Sequence, residues 1–223
     1  MKKLLALSLF AVLVLACCKD DDDCCVTPPN DGSLELNFTT QTQNGNMILF
    51  ENFNLNDNTQ LNINKLQFYI SDIRLLKGSE EISIGEVDLV DFRTHSNPAV
   101  ASMGESYYYH DISEGIYTGV KFGIGVNPDL NAYDPVYYNA LGTDHLLSSG
   151  IDYWSGWESY VFTKIEGFFD RNGNGTAGGG EDDEEITYHT GTDALYREKT
   201  IDASIEIAAG STFTLPLLSL IHI

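Results

Sequence analysis

The chain has 223 residues, a formal net charge of −21 at pH 7 and a sequence pI near 4.3. This acidic balance argues against binding to nucleic acid and to anionic membrane surfaces, because both would repel the protein. All four cysteines lie within the first 25 residues. The rest of the chain is long enough for one domain with a sizeable core, which has neither a disulfide nor a thiolate metal site.

The N-terminal segment has the features of a lipoprotein signal peptide. Two lysines precede an uncharged apolar run over residues 4–16, which is shorter than the ~20 residues that a membrane-spanning helix requires. The run ends in Val-Leu-Ala before Cys17, a pattern that resembles a bacterial lipobox, in which the cysteine thiol is acylated. We therefore expect residues 1–16 to be removed and Cys17 to anchor the protein to a membrane. An ordinary signal peptide that ends near a cysteine is the alternative.

An acidic segment follows the predicted lipidation site. Lys19 precedes four consecutive aspartates, and such a block of charge cannot bury itself. We expect residues 17–32 to form a solvated tether. A lysine followed by acidic residues just after the acylated cysteine resembles the surface-export signal of Bacteroidetes lipoproteins. This resemblance implies a protein that is lipid-anchored on the outer face of the outer membrane, and a plain spacer is the alternative.

From residue 34 onward, apolar and polar residues alternate with period two, which is typical of half-buried β-strands. Clusters of turn-forming residues separate these segments, and no stretch carries a helical repeat long enough for a major helix. This pattern predicts an all-β domain over residues 33–217, an antiparallel, Greek-key-like β-sandwich with long loops. The predicted strands lie within residues 34–38, 61–70, 82–92, 116–126, 160–169, 186–188 and 201–217.

One connection, residues 127–157, is long and rich in turn-forming residues. Loops of this length in a compact domain tend to carry function. It contains His145 and both tryptophans of the chain, Trp154 and Trp157. Aromatic residues also pack β cores, so their density here has a plain structural explanation as well.

Residues 170–181 match the calcium-loop pattern D-x-[DN]-x-[DN]-G-x5-E in every position. Oxygen atoms at alternate positions can converge on a hard cation, and the glycine allows the sharp turn. Strand-like residues precede the loop where an EF-hand would have a helix, and a flexible, acidic hairpin tip is the alternative. The predicted calcium ligands are the side chains of Asp170, Asn172, Asn174 and Glu181 and the backbone carbonyl of Thr176.

The last six residues, 218–223, read Leu-Ser-Leu-Ile-His-Ile. A transposase mosaic-end adapter used in sequencing libraries encodes this peptide in one reading frame. We expect these residues to be an assembly artefact and the natural chain to continue beyond residue 217. A genuine apolar last strand is the alternative.

No catalytic pattern stands out in the sequence. It contains no G-x-S-x-G, no H-E-x-x-H and no P-loop. Carboxylates are abundant, but abundance on an acidic surface does not make a general acid and base pair. We therefore expect the protein not to be an enzyme.

Four segments, in the same order, resemble the MbnP-like copper-binding proteins, a family common among Bacteroidetes lipoproteins. The resemblance covers most of residues 34–217. The segments are residues 63–75 (INKLQFYISDIRL), residues 122–127 (FGIGVN), the Trp154 region leading into residues 160–167 (YVFTKIEG), and residues 188–191 (YHTG).

The resemblance implies an extracytoplasmic β-sandwich that binds copper through histidines and through a tryptophan that a partner di-haem enzyme oxidises to kynurenine. By position, His145 and His189 fall at histidines of the family pattern, and Trp154 falls at the first tryptophan of its W-x-W-x-x-G-Y stretch. The chain departs from that stretch, because Gly156 takes the second tryptophan position and Trp157 follows it. Either tryptophan is therefore a candidate for modification.

Two functions follow from these observations. The first is a copper-binding lipoprotein with a di-haem tryptophan-oxidising enzyme and a TonB-type receptor as partners. Imidazole suits copper, and two histidines with one further ligand make a low-coordination Cu(I) site. The second is a calcium-stabilised surface module in which Trp154, Trp157 and neighbouring tyrosines bind a glycan or a protein. Structural or surface roles for His145 and His189 are the alternative to the copper site.

Overall fold

A computed structural model describes residues 31–42, 45–55, 59–142, 144–178 and 183–220. Within these ranges the chain forms twelve strands and three short α-helices, and none of the helices has the length and hydrophobicity of a membrane span. Cys17, the predicted signal peptide and the tether up to residue 30 lie outside the described residues. The strands are β1 (Asp31–Thr42), β2 (Gly45–Asn46), β3 (Asn52–Asn54), β4 (Gln60–Lys77), β5 (Glu80–Asp91), β6 (Glu105–Ser113), β7 (Gly115–Ile124), β8 (Tyr153–Trp154), β9 (Ser159–Phe169), β10 (Glu184–Gly191), β11 (Arg197–Ile207) and β12 (Thr212–Leu220). The helices are α1 (Pro98–Met103), α2 (Pro128–Asn131) and α3 (Pro135–Leu141).

The smaller sheet has four strands and is built around β1. β12 runs along one edge of β1, while β6 and β2 share the other edge. β1 and β12 are parallel, in unbroken register from the pair Ser33 and Thr212 to the pair Gln41 and Leu220. The other pairings in this sheet are antiparallel.

The larger sheet has eight strands, is antiparallel and is organised by the long strand β4. On one edge, the first half of β4 pairs with β9 and the second half pairs with β7. On the other edge it pairs with β3 and β5. β10 extends the sheet from β9 and β11 extends it from β7. The segment between β7 and β9, residues 125–158, leaves the sheet where these two strands diverge.

The inner core lies between the two sheets. Along β1, every second residue from Gly32 to Thr40 is buried, and the apolar ones are Leu34, Leu36 and Phe38. Side chains from β4, such as Ile63 and Ile73, pack in the same cluster. This alternation is the period-two pattern that predicted the strands, and the predicted all-β sandwich is confirmed.

A second core lies on the outer face of the larger sheet, beneath residues 127–158, which we call the excursion. The two α-helices of the excursion, α2 and α3, each follow an Asn or Asp cap and begin with proline. Asn127 accepts a hydrogen bond from the backbone nitrogen of Leu130, and Asp134 accepts one from that of Tyr137. The excursion packs apolar and tyrosine side chains onto the sheet. The second core comprises Tyr69, Val126, Tyr138, Leu147, Tyr160 and Phe162.

The structure differs from the prediction at β6 and at the C-terminal segment. The segment predicted over residues 201–217 forms two strands, β11 and β12, with a turn between them. β6 was not predicted, because three consecutive tyrosines, Tyr107 to Tyr109, hide its alternation. β12 continues through Leu220, so the first three of the six C-terminal residues pair with β1, while residues 221–223 lie outside the described residues.

Candidate functional site

A buried polar network fastens the excursion to the sheet. The carboxylate of Asp152 accepts hydrogen bonds from Gln67 Nε2 and from the hydroxyl of Tyr69, both at 3.1 Å. It also forms an ion pair with Lys164 of β9, and the two charged side chains are 8% and 9% exposed. Burial and the adjacent Asp152 raise the pKa of Tyr69 well above its ordinary value, so the hydroxyl stays protonated and can donate. The network therefore fixes residue 152, which immediately precedes β8.

Tyrosine hydroxyls bind the excursion at two more points. Tyr138 donates to the carbonyl of Leu130, and Tyr160 donates to the carbonyl of Leu147, each at 2.7 Å. Burial, with nearby Glu86 and tyrosines, raises the pKa of Tyr138 to about 12. Each buried hydroxyl thus satisfies a backbone carbonyl of a segment that has little regular structure.

Both tryptophans lie in the tight turn between β8 and β9. Trp154 and Trp157 are 54% and 42% exposed, and their ring centroids are 5.9 Å apart. The ring of Trp157 lies against Gly191 at the end of β10, where an added Cβ would come within 2.9 Å of Trp157 Cε3. Position 191 therefore requires glycine if Trp157 is to keep this place.

A hydrogen-bonded group holds the end of β10 against the start of β9. The backbone nitrogen of Thr192 donates to Ser159 Oγ at 2.9 Å. Asn131 Oδ1 accepts from the backbone nitrogen of Tyr160 at 3.0 Å, and Asn131 Nδ2 donates to Asp193 Oδ1 at 2.8 Å. Asn131 and Ser159 are buried, so these contacts are shielded from water.

Two non-glycine residues beside this group have positive φ angles. Thr192 has φ 67° and ψ 150°, and Glu158 has φ 49°. A β-branched residue rarely takes such a conformation, which costs about 1–3 kcal/mol and persists only where surrounding contacts enforce it. Strain of this kind concentrates at functional sites.

These residues surround a pocket of about 560 Å³, which we call the aromatic–acidic pocket. The excursion contributes most of its wall, and β9 and the end of β10 contribute the remainder. Burial, with nearby Asp134 and Glu158, raises the pKa of the Tyr153 hydroxyl. The lining residues are Asn131, Ala132, Tyr133, Asp134, Tyr137, Tyr153, Trp157, Glu158, Ser159, Thr192 and Asp193.

His145 lies in the excursion, stacked on Tyr138 with ring centroids 4.3 Å apart. Its Nδ1 accepts a hydrogen bond from the backbone nitrogen of Leu147 at 3.1 Å, so its proton is on Nε2. That nitrogen lies 3.3 Å from Glu86 of β5. Both ring nitrogens therefore have partners.

His189 lies in β10 opposite Lys164 of β9. Its Nε2 lies 2.8 Å from Glu166 Oε1, and the same oxygen is 3.9 Å from the Lys65 ammonium. A carboxylate that orients an imidazole in this way is common around metal-binding histidines. His189 also lies two residues from Gly191, about 7 Å along the strand from the point that Trp157 contacts.

The structure holds the two predicted copper histidines in separate contacts. His145 is bound to Glu86 of β5 and His189 belongs to β10, and β4 and β9 lie between these strands. Three inter-strand steps give about 14 Å, and Glu86 is a further five residues along β5 from Asp91, the residue in register with His189, so the two positions are roughly 20 Å apart. Across the described ranges, no group of three or more His, Cys, Asp and Glu side chains is placed to hold a metal ion. Each histidine therefore offers a single imidazole, a ligand type that suits copper, and Trp157 packs two residues along β10 from His189.

The predicted calcium loop is tightly wound around Asp170, which is 3% exposed. Its carboxylate accepts hydrogen bonds from the backbone nitrogens of Gly173, Asn174 and Gly175 at 2.8–3.2 Å. Asn172 and Asn174 accept from the backbone nitrogens two residues ahead, the latter from Thr176. Glu181, the predicted closing ligand, lies outside the described residues. Calcium binding here stays a prediction.

Several residues that build this region gave no recognisable signal in the sequence. Asp152 is one aspartate among many, and its partner, Lys164, is separated from it by the turn that carries the tryptophans. The one available signal was Lys164 itself, a charged residue inside a largely apolar strand. Thr192 and Asp193 reach the pocket from a distant strand end, and no local pattern indicates that.

Comparison with known proteins gives one family. The sequence model of a family described as MbnP matches residues 31–219. Among solved structures, MbnP from Methylosinus trichosporium is similar with a TM-score of 0.47 and 11% identity, over 77% of this chain and 72% of that one. No curated protein matches the chain.

Proposed function

The chain belongs to the MbnP family, and from this membership we propose that it binds copper as a lipid-anchored protein of the cell envelope. The observation that carries the proposal is the family match, which spans residues 31–219 and so includes both sheets and the excursion. The lipobox-like sequence before Cys17 and the acidic tether support an anchor in the outer membrane with the domain on the cell surface. Copper is the cargo in this proposal.

Geometry favours one pair among the four predicted copper residues. His189 and Trp157 lie at the same end of β10, because Trp157 packs on Gly191, two residues from the histidine. Glu166 holds the His189 ring in place. Trp154 packs beside Trp157, and its ring is the more exposed of the two. We therefore rank Trp157 above Trp154 as the tryptophan that works with His189.

His145 needs a rearrangement to take part. Its Nδ1 is occupied by the backbone of Leu147, so Nε2 is the nitrogen that is free to bind copper once it leaves Glu86. Release from Glu86 does not by itself bring Nε2 to an ion held by His189, so the excursion has to move as well if both histidines are to share one ion. Glu86 is 63% exposed and can turn into solvent at small cost.

The proposed role of the protein is binding and not catalysis, and a di-haem tryptophan-oxidising enzyme and a TonB-type receptor are its proposed partners.

The test is Cu(I) binding by the intact protein under anaerobic, reducing conditions, in competition with a chromophoric chelator. We expect one Cu(I) per chain, with affinity lost in the His145→Ala, His189→Ala double variant. The single variants rank the two histidines, and His189→Ala is expected to have the larger effect. Mass spectrometry of protein from the native host should find kynurenine at position 157.

His110→Ala is the matched control. His110 is an exposed histidine of β6 whose Nδ1 lies 2.8 Å from Ser33 Oγ, in the smaller sheet. Its loss should leave the stoichiometry at one. Unchanged Cu(I) binding in the double variant, or an equal loss in His110→Ala, would rule out the proposed ligands.

A second candidate is a surface module that binds a glycan or a protein, as the exposed, adjacent rings of Trp154 and Trp157 would allow. Quenching of tryptophan fluorescence by neutral oligosaccharides, in protein freed of metal, would support it. An unchanged spectrum across such a panel would remove the glycan form of this candidate.

A further inference from the structure

The aromatic–acidic pocket has chemical features that copper binding does not use. Neither His145 nor His189 lines it. Four aromatic side chains do, namely Tyr133, Tyr137 and Tyr153, which the copper proposal does not use, and Trp157, which it does. The first two are stacked on each other, with centroids 4.0 Å apart and an interplanar angle of 18°, so they form a rigid pair.

Three carboxylates share the lining with these rings, Asp134, Glu158 and Asp193. Among the described residues that line the pocket, none is lysine, arginine or histidine. The charges are therefore not neutralised within the wall. Burial, and then the nearby carboxylates of Asp134 and Glu158, raise the pKa of the Tyr153 hydroxyl, so two of the three charges lie close to this ring.

The three carboxylates supply negative charge, and two of them have one oxygen already engaged within the protein. Asp134 Oδ1 already accepts from the backbone nitrogen of Tyr137 at 3.1 Å, where it caps α3. Asp193 Oδ1 already accepts from Asn131 Nδ2 at 2.8 Å. Because four aromatic side chains share the wall with these charges, a cation that can also bury apolar surface suits such a site.

The pocket is also built in advance of any ligand. Ser159 and Asn131 are buried and hold the backbone of Thr192 and the carboxylate of Asp193. Thr192 keeps an unfavourable backbone conformation on the wall. The volume, about 560 Å³, lies within the range of small-molecule sites.

We propose that the aromatic–acidic pocket binds a small organic cation that carries a quaternary ammonium group. Aromatic rings attract such a group through their electron-rich faces, and the three carboxylates add a long-range attraction for its charge. The methyl groups of the cation bury against the rings at no cost in unpaired donors. Copper does not suit this wall, whose described lining residues include no imidazole or thiolate.

The test uses the full chain, freed of metal by a chelator, and three probes that share a hydroxyethyl group. Choline is the quaternary ammonium probe, 3,3-dimethyl-1-butanol has its shape without the charge, and ethanolamine has the charge without the methyl groups. Trp157 lines the pocket, so fluorescence reports binding and calorimetry gives the affinity. We expect saturable binding of choline, about tenfold weaker binding of ethanolamine, and no measurable binding of the neutral alcohol.

Two double variants distinguish the effect of the pocket carboxylates from that of the overall negative charge of the protein. Asp134→Asn with Glu158→Gln removes two pocket charges while asparagine keeps the cap of α3. Glu184→Gln with Glu185→Gln removes two exposed charges from β10 outside the pocket. The first pair should weaken choline binding about tenfold, and the second should leave it unchanged.

Three results would overturn the proposal: no saturation by choline, equal binding of choline and the neutral alcohol, or equal loss in both double variants. Tyr137→Leu, compared with Tyr188→Leu on the exposed face of β10, tests the aromatic part in the same way. Copper binding is measured through His189 and His145, which these variants keep, so either proposal can fail without the other.

Discussion

On its inner face, the larger sheet meets the smaller sheet through aliphatic side chains, Leu36 and Ile63 among them. On its outer face, it meets the excursion through tyrosines and through the buried ion pair of Asp152 and Lys164. Both interfaces exclude water, but they do so with different chemistry. Apolar packing is non-directional, whereas a buried charge requires its partner at one position.

This difference accounts for the distribution of candidate functions. The inner core stabilises the sandwich and carries none of the predicted ligands. The outer core places a long, irregular segment so that Trp154 and Trp157 stand beside the ends of β9 and β10. Directional contacts are what such a segment needs, because it has few backbone hydrogen bonds of its own to define its course.

The sharpest test of the comparison is the removal of one half of the ion pair. Asp152→Ala leaves the Lys164 ammonium buried without its partner, which we expect to lower the free energy of unfolding by about 3–5 kcal/mol. The tryptophan emission spectrum should change as well, since residue 152 immediately precedes the tryptophan turn. Urea unfolding and steady-state fluorescence measure the two effects.

Leu36→Ala on the inner face is the control for that variant. It should also cost about 2–5 kcal/mol, but with the native tryptophan spectrum retained. If both variants shift the spectrum alike, the two cores are not distinct in role. An Asp152→Leu, Lys164→Met double variant should recover only part of the stability while the spectrum stays altered. Apolar packing then replaces the ion pair, but Gln67 and the Tyr69 hydroxyl lose their acceptor.

A smaller effect is expected at the Asp170 loop, which belongs to neither core. Asp170→Ala removes the acceptor of three backbone N–H groups and should lower the free energy of unfolding by about 1–3 kcal/mol in metal-free buffer. Chemical unfolding in the presence of a chelator measures this contribution without the metal.

The response to calcium distinguishes a calcium-binding loop from a hairpin tip that binds no metal. Millimolar calcium should raise the melting temperature of the native chain and leave Asp170→Ala unaffected, if the predicted ligands bind it. An identical response of the two proteins would reduce the loop to a self-contained hairpin tip.

The smallest effect concerns His95, a fully buried histidine that packs edge-to-face against Phe92 of the inner core. Burial lowers the pKa of His95 below its ordinary value of 6.5, although Glu105, 3.2 Å away, opposes this. The unfolded chain therefore takes up a proton more readily than the folded one. Stability should be complete above pH 6.5 and should fall as the pH decreases below that value.

His95→Gln should flatten this part of the pH profile, while carboxylate titration at lower pH stays in both proteins. Free energies of unfolding measured at closely spaced pH values between about 7.5 and 5, the range in which histidine titrates, would show this difference in slope. A slope that is equal in the two proteins would mean that the inner core contains no titrating group of consequence.

The sequence predicted the strands better than their partners. Alternation placed the strand at residues 160–169 within one residue of β9, and the predicted segments at 82–92 and 116–126 overlap β5 and β7 almost fully. The parallel pairing of β1 with β12 could not be predicted, because it joins residues up to 179 positions apart, such as Glu35 and Thr214. Register between distant strands depends on the whole fold and leaves no local pattern.

The sequence indicated the exposed aromatic residues of the candidate site but not the buried residues that hold them in place. Trp154 and Trp157 stood out because two large aromatic residues in a turn-rich segment are unusual. Asp152, Lys164 and Thr192 did not, since their importance comes from burial, pairing and backbone geometry, none of which residue identity reveals. The family resemblance supplied the histidines, and the structure added the carboxylates, Glu86 and Glu166, that hold them.

The parallel ladder between β1 and β12 has a mechanical consequence. Its hydrogen bonds link nine consecutive residue pairs, from Ser33 to Gln41 on one strand. A force that pulls the start of β1 away from the end of β12 acts along both strands, so it loads all of these bonds in shear at once and does not unzip them one by one. A domain tethered at one end to a surface and loaded at the other would therefore resist extension at this ladder first, and its lifetime under tension would be set by the rate at which the two strands slide apart.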